Sequence, residues 1–159
     1  MIHIGVDPGL TGAITFISPN TLVVEDLPTT PLPGNGLIKR RIDGRALAKL
    51  VRANVPAGEK AEVFLEQVAT MGGKNNAVQT QGSLMRTLGA IETVFECMGI
   101  PVTMLSPQKW KRMYGLKADK KKSLATARAL YPEAPLALAS HHNRAESLLL
   151  GHWGKVNKS

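Results

Sequence analysis

The sequence predicts an α/β domain built on a mixed five-stranded sheet flanked by helices. Three observations predict it. Three short strand patterns follow one another at the start of the chain, two further strand patterns lie beyond residue 60, and a long helical pattern separates those two. An opening meander followed by strands that alternate with helices combines antiparallel and parallel pairs in one sheet. No repeat, low-complexity tract or break in composition divides residues 1–159, so they are expected to form one domain, with 155–159 as a frayed tail.

Residues 2–7 alternate apolar with other residues and meet Pro8-Gly9, the mark of a strand ending in a turn. Residues 13–17 and 21–27 are the next strands, with Pro19-Asn20 turning between them. Residues 28–36 carry Pro28, Pro31, Pro33, Gly34 and Gly36 and are expected to be loop. Asp43 is placed to cap a helix that runs to about Asn54 and turns Leu47, Leu50 and Val51 inward. Residues 62–67 read as a buried strand. Residues 77–98 hold the longest helical pattern, with Leu84, Leu88, Ile91 and Phe95 on one face and Gly99 as its stop. A strand over 101–105 follows, then two basic helical pieces within 107–130 that break near Gly115. Tyr131-Pro132 ends the second piece, and a last helix covers 143–156.

The 20 Lys and Arg outnumber the 12 Asp and Glu, for a net charge of +8. A surface that basic attracts polyanions, nucleic acid first among them, with anionic lipid as the other reading. No apolar run reaches the length of about 18 residues that a membrane span needs. The start of the chain lacks a leader's basic and apolar regions, so a soluble, cytoplasmic protein is expected. The single cysteine, Cys97, excludes an internal disulfide and a cysteine zinc site, and its apolar helical surroundings place it in the core.

The chemistry is expected at acids. Period-two alternation puts His3, Gly5 and Asp7 on one face of the first strand, with Asp7 at its tip. Glu66 ends the Val63-Phe64-Leu65 strand in the same way. A carboxylate at the tip of a buried strand is costly without compensation, and two at neighbouring tips repel until a divalent cation joins them. The competing reading is that each acid caps a helix or pairs with an arginine. Glu146 falls in the first turn of the last helix, where His142, four residues earlier, or Asn143, three earlier, shares its face. There the competing reading is a capping box, with Asn143 as the cap and Glu146 reaching back.

These segments carry a resemblance. Val6-Asp7-Pro8-Gly9-Leu10-Thr11-Gly12, Phe64-Leu65-Glu66-Gln67-Val68 and Arg144-Ala145-Glu146-Ser147-Leu148-Leu149-Leu150 resemble, in order and spacing, the motifs of RuvC-family Holliday-junction resolvases, especially phage-encoded members. The first motif alone also opens sugar kinases and actin-like ATPases, whose two lobes need a longer chain. The resemblance implies an RNase H-like fold, a homodimer, and a nuclease that cuts four-way junctions symmetrically with two Mg²⁺ ions per site. It implies Asp7, Glu66 and Glu146 as metal ligands. The family's fourth ligand is usually an Asp, sometimes a His, three or four residues before the last carboxylate. Here those positions hold Asn143 and His142; His142 is assigned, with Asn143 and His141 as alternatives. An imidazole ligand suits Mn²⁺ better than Mg²⁺, so Mn²⁺ is expected to substitute.

Lys109, Lys111, Arg112, Lys117, Lys120, Lys121 and Lys122 form the expected DNA-binding run, with Trp110 and Tyr114 interleaved and Asp119 opposed. The competing reading is a solvated helix face with Trp110 in the core. By resemblance Lys111 and Lys122 match basic residues near the scissile phosphate, and Lys122 is assigned to the catalytic set. Lys74 joins the DNA-binding set from the 69–76 loop, where cellular members carry an aromatic at the position of Ala69 and Met71 is the substitute wedge. The 77–98 helix is the candidate dimer interface. Two other functions share these residues: a broader nuclease of branched DNA or hybrids, and a catalytically silent junction binder.

Overall fold

The computed structural model describes residues 1–68, 78–117 and 119–158. β1 (Ile2–Asp7), β2 (Ala13–Ile17) and β3 (Leu22–Asp26) form the expected antiparallel meander. β4 (Thr29–Pro31) and β5 (Arg40–Ile42) form a separate small hairpin, followed by α1 (Gly44–Asn54), β6 (Ala61–Glu66), α2 (Val78–Cys97) and β7 (Val102–Leu105). The chain finishes with α3 (Pro107–Met113), α4 (Lys120–Leu130), a short 3₁₀ turn and α5 (His142–Asn157). β6 pairs parallel to β1, and β7 parallel to β6, so the main sheet has the order β3-β2-β1-β6-β7. β1 sits at its centre and is buried along its whole length.

Each face of the sheet has its own core. Ile2, Ile4 and Val6 of β1 pack with Val63 and Leu65 against Leu47 and Val51 of α1 and Ile91 and Phe95 of α2. On the other face, Phe64 and Leu105 pack with Trp110, Leu124 and the Leu148-Leu149-Leu150 run of α5. The alternation read from residues 2–7 is the cause: one set of side chains faces α1 and α2, and the other faces α5. Gly5 permits the second packing. A Cβ there would overlap the carbonyl oxygen of Ser147 and the amide nitrogen of Gly151, so α5 lies on β1 backbone to backbone.

Local signals ended the elements as expected. The Asp43 carboxylate accepts the Ala46 amide at 3.0 Å and opens α1. Gly99 and Gly115 adopt φ of +67° and +64° where α2 and α3 stop. Four expectations need correction. The 28–36 loop contains β4, whose Pro31 sits on a two-stranded edge where its missing N–H costs no ladder bond. Cys97 is exposed, because it lies about 200° round α2 from the buried Phe95 at about 100° per residue. Residues 155–157 continue α5, with the Asn157 amide bonded to the Trp153 carbonyl at 2.8 Å. Trp110 and Tyr114 do not interleave with the lysines at the surface, since Trp110 is fully buried and the half-buried Tyr114 hydroxyl donates to the Leu149 carbonyl. No helix among the described residues is long and apolar enough to cross a membrane.

Candidate active site

Asp7 and Glu66 end the two central parallel strands. The β1–β6 register pairs Gly5 with Phe64 and Val6 with Leu65, and the next step along both strands reaches Asp7 and Glu66. Neighbouring strands run about 4.8 Å apart, and residues two positions on from Gly5 and Phe64 share their face, the one that α5 covers. Asp7 is 8% exposed and Glu66 partly buried. Gly12 lets the turn after β1 fold back tightly, because a Cβ there would overlap the Asp7 carbonyl oxygen.

The helix α5 brings the third acid. Gly5 of β1 lies against Ser147 and Gly151 of α5, and Asn143 at the start of that helix reaches the Thr11 carbonyl just beyond the end of β1, so Glu146 approaches the strand tips. Three polar contacts hold this end of the helix. Thr15 and Ser147 hydroxyls meet at 2.7 Å in the core, and the Asn143 amide donates to the Thr11 carbonyl at 2.7 Å. Arg144 forks onto Asp26 at the end of β3, with Nε to Oδ1 at 2.8 Å and a second nitrogen to Oδ2 at 3.1 Å. That bond holds the Asp26 carboxyl below its ordinary value. Glu146 is 8% exposed.

The capping box is not formed. The helix starts at His142, and Asn143 lies inside its first turn with its amide committed to Thr11. His141 Nδ1 accepts the Leu138 amide at 3.2 Å. His142 makes no side-chain hydrogen bond among the described residues. It lines an open groove of about 620 Å³ with Thr11, Asp26 and Asn143.

Trp110, read from the sequence as interleaved in the basic run or else as core, contacts one of the acids. Its indole N–H donates to Glu66 Oε2 at 2.8 Å across 44 positions of sequence. Burial pushes the Glu66 carboxyl above its ordinary value; the Trp110 bond pulls it down, the Glu146 carboxylate pushes it further up, and Lys111 pulls it down. Glu66 and Glu146 therefore lie within electrostatic reach of each other, and Lys111 is a cation near Glu66. Among the described residues, however, no group of three or more His, Cys, Asp or Glu side chains is already arranged to hold an ion.

The basic run spans two elements. Lys109 and Arg112 are exposed on α3, Lys111 is half-buried there, and Lys117 is exposed in the link to α4. Lys120 opens α4, and Lys121 and Lys122 are exposed on its first turn. Asp119 does not oppose this charge across a face. Its carboxylate caps α4 by accepting the Lys121 amide at 2.9 Å. Lys74, Ala69 and Met71 lie outside the described residues.

No model of a known protein family matches the chain, and no curated protein sequence matches it. Solved structures do. A Thermus thermophilus RuvC structure superposes with a TM-score of 0.57 at 18% identity, covering 98% of this chain and 96% of that one. T. thermophilus RuvC in complex with a Holliday junction substrate superposes with a TM-score of 0.59 at 15% identity, covering all of this chain and 97% of that one. The fold is RNase H-like. At this identity the likeness extends to architecture over the full length of both chains.

Proposed function

We propose that this protein is a divalent-metal-dependent endodeoxyribonuclease that resolves four-way junctions as a homodimer. The observation that carries the reading is the placement of Asp7 and Glu66 at adjacent tips of the two central parallel strands, with Glu146 brought over them by α5. The superposed Thermus RuvC structure bound to a Holliday junction supports branched DNA as the substrate.

The donor set fits a hard divalent cation. Asp7, Glu66 and Glu146 offer carboxylate oxygens, His142 offers an imidazole with no hydrogen-bond partner among the described residues, and the repulsion from Glu146 felt at Glu66 is what a cation relieves. Those four residues are the proposed ligands. Held there, two Mg²⁺ ions, or Mn²⁺ in their place, would supply an activated water and stabilise the leaving 3′ oxygen. The chain's own contribution is placement. β1 and β6 fix two carboxylates on central strands of the sheet, and the Thr11 and Asp26 tethers fix Glu146 and His142 at the start of α5. Lys109, Lys111, Arg112, Lys117, Lys120, Lys121 and Lys122, together with Lys74, bind the phosphates of a duplex arm. Lys122 lies beside the scissile phosphate in this reading. Two symmetric cuts need two sites in fixed relation, which a C2 dimer through α2 provides.

A silent junction binder is the second reading. It draws on Asn143, whose amide is turned to Thr11, and on the carboxylates not being pre-gathered among the described residues. Both readings meet one experiment: a labelled four-way junction is incubated beside linear duplex, fork and RNA–DNA hybrid, with Mg²⁺, Mn²⁺ or chelator, for wild type and Asp7→Asn. The expected result is paired symmetric nicks in the junction alone, lost in Asp7→Asn while junction binding persists. Cleavage retained in Asp7→Asn would falsify the metal site. Binding without cutting under either metal establishes the silent binder, and equal cutting of forks or hybrids establishes the broader nuclease.

A further inference from the structure

We propose that Trp110 is a positioning residue that presents Glu66 to a bound cation, and that through it the basic helix α3 is joined mechanically to the metal site. This inference rests on the reading of Glu66 as a metal ligand.

The indole N–H is a donor only, and once buried it needs an acceptor. Trp110 is fully buried, and the acceptor it meets is Glu66 Oε2 at 2.8 Å. That bond does two things to the carboxylate. It restrains rotation about the last side-chain torsion, and it satisfies one oxygen from the core side. Oε1 makes no hydrogen bond among the described residues, so it is the oxygen left to face a cation.

The connection to α3 is short and stiff. Glu66 pairs with Leu105 of β7, and the Gln67 amide bonds the Leu105 carbonyl at 2.7 Å. The very next residue, Ser106, caps α3, and Trp110 stands on that helix. Lys109, Lys111 and Arg112 share the helix, and the Lys111 ammonium lies 5.3 Å from the centre of the Trp110 ring. These cations therefore stand on the same helix as the donor that holds Glu66. Hydrogen-bond partners of metal-ligating carboxylates contribute about 10–100-fold to metal affinity or activity, and Trp110 stands in that relation to Glu66.

The test replaces Trp110 with Phe and, separately, with 3-benzothienylalanine, which keeps the bicyclic shape and lacks the N–H. Mn²⁺ binding is measured by calorimetry, junction affinity in chelator, thermal stability, and kcat and KM for the junction. The expected result is a loss of Mn²⁺ affinity of about 10–100-fold in both variants. Junction affinity stays within about twofold, and the kinetic loss falls on kcat rather than KM. The isosteric variant keeps the ring packing and loses only the one hydrogen bond, so its melting temperature falls less than that of Trp110→Phe, which separates the missing donor from a packing defect. Wild-type Mn²⁺ affinity in the benzothienyl variant overturns the role of Trp110 and leaves the metal site standing. Absence of Mn²⁺ binding by wild type overturns the metal site and this inference together.

Discussion

Replacing Gly5 with Ala tests the close approach on which the site is assembled. The added Cβ would lie 3.0 Å from the Gly151 Cα and would overlap the Ser147 carbonyl oxygen and the Gly151 amide nitrogen. All three obstacles are helix backbone, so no rotamer change relieves the clash, and α5 must move away from β1. Overpacking a close-packed core costs about 1–3 kcal/mol, and a backbone clash belongs at the top of that range. At about 2–4 °C per kcal/mol for a chain of this size, a loss of about 3 kcal/mol lowers the melting temperature by about 6–12 °C. The assay is urea and thermal denaturation, with Gly44→Ala as the control. A Cβ at Gly44 would meet Val94 at an ordinary 3.8 Å, and in the first turn of α1 it changes stability by no more than about 1 kcal/mol. Since α5 carries Glu146, cleavage falls in Gly5→Ala even at temperatures where the protein remains folded. A Gly5→Ala variant as stable as the control would show that α5 does not rest on β1 at this point, and the argument for Glu146 at the strand tips would go with it.

Glu66→Gln raises the stability of the metal-free protein at pH 7. Burial lifts the folded Glu66 carboxyl above its ordinary 4.5, so the folded state holds that proton more tightly than the unfolded chain and stability declines as pH rises through this window. The gain, read by denaturation across pH, shrinks toward zero below 4.5; a gain independent of pH would contradict the burial argument. His142→Ala weakens Mn²⁺ binding by about tenfold or more, whereas Asn143→Ala acts mainly on stability by removing the Thr11 tether. Calorimetry of both decides, and the reverse order would move the fourth ligand to Asn143. Replacing Lys120, Lys121 and Lys122 with Ala lowers junction affinity and reduces the salt slope by about 0.9 for each DNA phosphate that is no longer neutralised. An unchanged slope would remove the start of α4 from the DNA interface.

What was legible in the sequence was local. Strand alternation over 2–7 placed Asp7 on its face, Val63-Phe64-Leu65 led to Glu66 at a strand tip, and Asp43, Gly99 and Gly115 marked helix ends, because each signal lies within a few residues of its effect. Two three-residue strands in and beside a proline- and glycine-rich stretch carry no such period, so β4 and β5 were invisible. The face of Cys97 was misjudged because an apolar neighbourhood in sequence does not say which side of the helix meets the core.

By itself, the sequence determined a mixed α/β sheet, three acids at element ends and a basic run after the last strand. Only the tertiary structure decided what those residues touch. Trp110 finds Glu66 across 44 positions, and Asn143 finds Thr11 and Ser147 finds Thr15 across 132 each. Such partners are set by how α5 and α3 seat on the sheet, and that seating depends on the whole packed core rather than on any local period. It turned Trp110 from a residue expected at a surface into the donor that meets a carboxylate, and it made Asn143, read either as a helix cap or as an alternative ligand, a tether to Thr11.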